Sequence, residues 1–112
     1  MSSKVLPIDN TVMIVCPEKG LSEEKIKALK DAAIKALQEK GYYIPLSTFT
    51  PSRGYLERNG TRSYDIHMLG LEVIRLASSD YVYFCKGYEK DPRCLILACI
   101  AREYGVKTAK LA

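Results

Sequence analysis

The sequence predicts one α/β domain, a three-layer fold in which helices cover both faces of a mostly parallel sheet of four to five strands. Three observations carry this expectation. Short β-branched and aromatic runs alternate with longer segments of helical periodicity. The helical segments carry start and stop residues at their ends. The chain has 112 residues, 47% hydrophobic and 27% charged, which suffices for one core and not for two. Alternating strand and helix brings successive strands parallel through right-handed crossovers.

Residues 11–16, TVMIVC, are a continuous apolar run closed by Pro17 and Gly20, as expected of a strand buried on both faces. From Ser22 to Lys40 the residues Ile26, Leu29, Ala33, Ile34 and Leu37 recur at helical spacing. Ser22 can cap this helix, Glu23 and Glu24 suit its first turn, and Gly41 can stop it. Residues 42–46, YYIPL, read as a short edge strand, since Pro45 has no N–H for a ladder. Residues 47–62 mix Ser, Thr, Gly, Pro and Asn with Arg53, Arg58 and Arg62 and show neither period, so a long loop is expected there.

A second helix is marked by Ile66, Leu69, Val73, Leu76 and Ala77, followed by a third strand at residues 80–85, DYVYFC. Asp91 then reads as a cap and Pro92 as the first helical position. Leu95, Ile96, Cys99 and Ile100 are expected to form the buried face of this third helix, which ends near Gly105. Residues 106–111 give a last short strand.

Seventeen Lys and Arg against thirteen Asp and Glu give a net charge of +4, spread along the chain. That is no nucleic-acid footprint, and it suits a small anionic ligand better. Residues 1–10 hold one Lys and no long apolar core; they read as a flexible lead-in rather than a signal peptide or a membrane span, so a cytoplasmic protein is expected. Cys16, Cys85, Cys94 and Cys99 lie in apolar runs without Cys-x-x-Cys spacing, and one His cannot complete a zinc site with them. Reduced thiols, no metal and no cofactor are expected.

The candidate site lies where the third strand gives way to Lys86-Gly87-Tyr88-Glu89-Lys90 and then to the helix opening at Asp91. A strand, a Gly-bearing loop and a helix N-terminus can together hold an anionic small molecule. In open parallel sheets such ligands lie outside the carboxyl ends of the strands, at the point where winding reverses. The loop Cys16-Pro17-Glu18-Lys19-Gly20 would then face the loop after Cys85. Arg93 opposes the helix dipole, which suits a ligand or a carboxylate partner. His67 reads as structural.

The run SDYVYFCKGYEK, followed by CLILACIAREYGV, resembles the nucleoside 2-deoxyribosyltransferase-like proteins, in particular their short bacterial and phage members. The resemblance implies a Rossmann-like or flavodoxin-like domain that binds a deoxynucleoside or its 5′-phosphate through two carboxylates, in a homodimer or larger homo-oligomer. Glu72 stands where the family usually has a catalytic Asp. Lys86, Gly87, Tyr88, Asp91 and Arg93 would hold the ligand, with Cys16, Pro17, Lys19 and Gly20 lining the opposite wall. The family's nucleophile, a helix Glu that attacks the anomeric carbon, corresponds to Leu97, which cannot do so.

Three readings follow from this. The chain is a nucleotide-binding protein without turnover; it is an N-glycosidase or deoxyribosyltransferase acting on nucleoside monophosphates, with Glu72 as base; or it is an oligomeric scaffold with a vestigial pocket. None involves a membrane; weak nucleic-acid binding through the loop that carries Arg53, Arg58 and Arg62 is a further reading, and it predicts an affinity that falls steeply with salt.

Overall fold

The computed structural model describes residues 10–45 and 53–111, except for the side chains of Arg53 and Tyr55. The lead-in 1–9 and residues 46–52 of the expected edge strand and loop lie outside the described part. Three strands, β1 (Val12–Val15), β2 (Tyr81–Phe84) and β3 (Lys107–Thr108), form a parallel sheet in that order. Val12 lies opposite Tyr81 and Val15 opposite Phe84. Four helices accompany the sheet: α1 (Glu23–Glu39), α2 (Arg53–Arg58), α3 (Tyr64–Ala77) and α4 (Pro92–Glu103).

Strand alternation divides the core. Val15 and Val82 are fully buried against Leu76 of α3 and Cys94, Leu97 and Ala101 of α4, with Met13 and Phe84 beside them. Val12, Ile14, Tyr81 and Tyr83 meet Leu37 of α1 and Ala109 on the other face. Cys16 and Cys85 extend this second face toward Ala33, Ile26 and Leu29 of α1.

The helix starts follow the capping signals. Ser22 Oγ accepts the Lys25 N–H at 3.2 Å, Ser63 Oγ accepts the Ile66 N–H at 3.2 Å, and Asp91 Oδ1 accepts the Arg93 N–H at 3.0 Å.

Four expectations change. Among the described residues the second strand is reduced to a single parallel bridge between Thr11 and Tyr43, two residues before a proline that cannot donate. The last strand narrows from 106–111 to Lys107–Thr108, although the Ala109 N–H still donates to the Val82 carbonyl at 2.9 Å. Among the described residues the sheet therefore has three strands rather than the four to five expected.

The expected loop 47–62 contains α2. Among its described side chains Leu56 is the buried anchor, 4% exposed, and its end is fixed by Gly60 at φ +91°. The Gly60 N–H reaches the Glu57 carbonyl at 3.2 Å and the Thr61 N–H the Leu56 carbonyl at 2.9 Å, which closes a Schellman turn that needs the left-handed residue. Six residues are too few to show a period in sequence.

The fourth correction concerns α4. Its buried residues are Cys94, Leu97 and Ala101, whereas Leu95 and Ile96 are 46% and 44% exposed and Cys99 is exposed. Inward and outward faces are both apolar, so sequence pattern could not say which one meets the sheet.

Candidate functional site

β1 and β2 end side by side, and the two loops that leave them meet, as the topology requires. A Cβ placed on Gly87 would sit 3.8 Å from Pro17 Cγ, and Gly87 itself has φ +90°. That left-handed turn starts a single 3₁₀ turn at Tyr88–Lys90 and aims the chain into the Asp91 cap.

Asp91 is the one buried charged residue among those described, 5% exposed. One carboxylate oxygen caps α4; the other accepts the Glu18 N–H at 2.8 Å and the Lys19 N–H at 3.3 Å. Burial alone would raise its pKa, but the N–H groups of Glu18, Lys19 and Arg93 and the Arg93 charge outweigh burial and lower it. Backbone donors of the first loop, which could have faced an anionic ligand, are directed at this side chain.

Arg93 completes the closure. Its Nη1 donates to Glu72 Oε2, and its Nη2 donates to the Cys16 carbonyl at 2.6 Å. Glu18 and Asp91 each place a carboxylate oxygen 3.9 Å from Nη2. Burial disfavours the guanidinium charge, yet Glu72 foremost and then Cys94 and Glu18 raise its pKa, so it stays cationic. Arg93 and Glu72 are only 21% and 18% exposed, so solvent screens this pair weakly.

The sequence-derived residues Cys16, Pro17, Lys19, Glu72, Gly87, Asp91 and Arg93 thus do converge. Lys86 and Gly20 are exposed beside them. Two contributors had not been singled out, Glu18 and Lys30, which pair at 3.5 Å and flank Arg93 from the loop and from α1. Glu18 was visible as the one acid in a loop of otherwise neutral and basic residues; Lys30 carries no local signal. Counting Glu18, Glu72 and Asp91 against Lys19, Lys30 and Arg93, the centre is neutral when all are ionised, and the Arg93 guanidinium is already taken up by Glu72 and the Cys16 carbonyl. A proton-abstracting role for Glu72 would compete with its bond to Arg93.

Tyr88 leaves this group. Its ring lies 5.0 Å from that of Phe84, tilted by 36°, and packs with the α4 side of the core. There it lines a separate cleft of about 520 Å³ with Tyr83, Phe84, Arg102, Val106 and Thr108, at the sheet edge where β3 runs out.

The thiols beneath the loops are quiescent. Burial pushes Cys85 and Cys94 up to about 12 and raises Cys16 as well. A thiol reagent is therefore expected to modify Cys99 alone in the folded chain, with Cys16, Cys85 and Cys94 reacting only on unfolding; peptide mapping after mild alkylation checks this.

Among the described residues no helix is long and apolar enough to cross a membrane. Comparison with family models, with curated proteins and with solved structures finds no match to the chain.

Proposed function

We propose that this chain is a catalytically silent, Rossmann-like domain of the deoxyribosyltransferase-like kind, in which the ligand crevice has become an internal clasp and the protein works through assembly. The observation that carries the reading is the fate of the two carboxylate positions. Leu97 occupies the nucleophile position and is 0% exposed in the core, and Glu72 is bonded to Arg93. Two-step glycosyl transfer needs a carboxylate near the anomeric carbon. Hydrolysis by water needs a free base.

The test is one-dimensional proton NMR of the protein with deoxynucleosides and their 5′-monophosphates, followed over a day. No free-base resonance is expected at any time. Base release that disappears in Glu72→Gln would overturn the silent reading and restore the N-glycosidase one.

A second reading retains nucleotide binding without turnover. The cleft beside Phe84 and Tyr88 favours it, because its volume lies within the range of small-molecule sites and it offers aromatic faces beside Arg102. Selective broadening of nucleotide signals in the same spectra, without new resonances, would select this reading over assembly alone.

A further inference from the structure

On the side away from β1, the second half of β2 has no neighbour. β3 pairs with Tyr81 and Val82 only, and the last bond between the two segments runs from the Ala109 N–H to the Val82 carbonyl at 2.9 Å. Ala109, 2% exposed, and Leu111 then pack with Val12 and Leu37 on the α1 face, so the chain leaves the edge at that point. Alternation along a parallel ladder turns the N–H and C=O of Phe84 to the same side as those of Val82. Among the described residues no strand stands opposite them. The cleft of about 520 Å³ lies here, and its walls come from both faces of the sheet: Phe84, Tyr88, Ala98 and Val106 on the α4 side, Tyr83 and Ala109 on the other. A cavity that wraps a sheet edge, with a backbone donor and acceptor between its two halves, has the shape that one further strand fills.

We propose that this edge takes an extended, acidic segment of a different protein by strand addition. The segment lies beside Phe84, returns a carbonyl to its N–H and an N–H to its carbonyl, and sends one large apolar side chain between Phe84, Tyr88 and Ala98. Residues opposite each other on neighbouring strands point to the same face, so the residue beside Phe84 is the one that enters the α4 side of the cleft. There the Phe84 and Tyr88 rings, with centroids 5.0 Å apart, suit an aromatic anchor. The rim sets the sign of the partner's charge. Arg102, Lys107 and Lys110 are exposed along the edge, against Glu103, which stands 3.5 Å from Arg102. Lysines on an edge strand repel a second copy of that edge in a chain of charge +4 and attract acidic residues flanking the anchor. The inference gives the assembly reading its partner and rests on it in that respect.

The test titrates the synthetic peptide Asp-Glu-Val-Phe-Val-Glu-Asp, capped at both ends, into the isotope-labelled full chain and reads amide shifts and hydrogen exchange by NMR. Shifts are expected at Phe84, Ala98 and Val106, and exchange of the Phe84 amide should slow at least about tenfold at saturation, because it gains an acceptor. Methylating the backbone nitrogens of the peptide's Phe and of the Val after it removes the donor for either strand direction and should weaken binding about tenfold or more. Ala98→Phe, its fold verified by circular dichroism, should fill the cleft and abolish binding. Arg102→Glu combined with Lys107→Glu should weaken binding about tenfold, and a peptide with Lys at its acidic positions should recover it. No shift at peptide concentrations up to about 1 mM overturns the proposal. So does binding without slower Phe84 exchange or indifferent to methylation, since the side chain alone is then held. A Phe84 amide already protected in the free chain means that the edge is covered from within, and also overturns it. Base release in the nucleoside experiment overturns only the silent reading.

Discussion

Replacing Leu97 by glutamate, the residue that the deoxyribosyltransferase-like resemblance would place there, is expected to unfold the domain and to produce no glycosyl transfer. Leu97 is 0% exposed and packs in one cluster with Val15, Leu76, Val82, Cys94 and Ala101. A carboxyl group there finds only apolar neighbours and one thiol, whose own pKa is already pushed up to about 12 by burial. Even a protonated carboxyl costs several kcal/mol to bury without a hydrogen-bond partner. Losing the leucine contacts adds about 2–3 kcal/mol. The sum, about 5 kcal/mol or more, rivals the whole stability of a small domain.

Loss of the cooperative urea transition, read by circular dichroism, checks this. Leu97→Met should cost less than about 1.5 kcal/mol, since it keeps volume and apolarity. A folded Leu97→Glu protein that releases base would mean the position opens to a cavity after all.

The same helix shows why parts of the molecule were legible in sequence and others were not. Cap and stop residues act on neighbours in the chain, so Ser22 and Gly41 fixed the ends of α1, and Asp91 and Gly105 those of α4, to within a residue or two. The buried face of α4 was misread because both of its faces are apolar, and which one meets the sheet depends on the angle at which the helix leaves the Asp91 cap. Convergence of the two loops was legible, because parallel strands end on the same side. That they close on themselves was not. Asp91 takes the Glu18 N–H across 73 residues and Arg93 takes Glu72 across 21, and neither pairing leaves any local pattern. A buried acid and a half-buried arginine each need a partner. The sequence shows the need without showing who meets it.

Asp91→Ala is expected to lower stability by about 3–4 kcal/mol, the largest effect of any change at the site. The carboxylate caps α4, which is worth about 1–2 kcal/mol. It also accepts the Glu18 and Lys19 N–H groups, and charge-assisted bonds of this kind contribute about 1.5–3 kcal/mol. Without them the 16–20 loop loses its Asp91 tether to α4, and Arg93 loses one of its carboxylate neighbours while keeping Glu72, Glu18 and the Cys16 carbonyl.

The pH dependence identifies the ionised form as the active one. The folded pKa of Asp91 is lowered, so its contribution is complete above the unfolded carboxyl value of about 3.9. It is lost as pH falls below that value and through the folded pKa. The stability difference between the protein and Asp91→Ala should therefore be constant from about pH 5 to 8 and shrink below about pH 4. Taking the difference between the two proteins removes, to first order, whatever pH dependence they share. Urea midpoints measured at intervals from pH 3 to pH 7 give the curve. A difference that does not change down to pH 3 would mean that Asp91 holds the loop through its shape and neutral hydrogen bonds, and that its charge contributes nothing to the clasp.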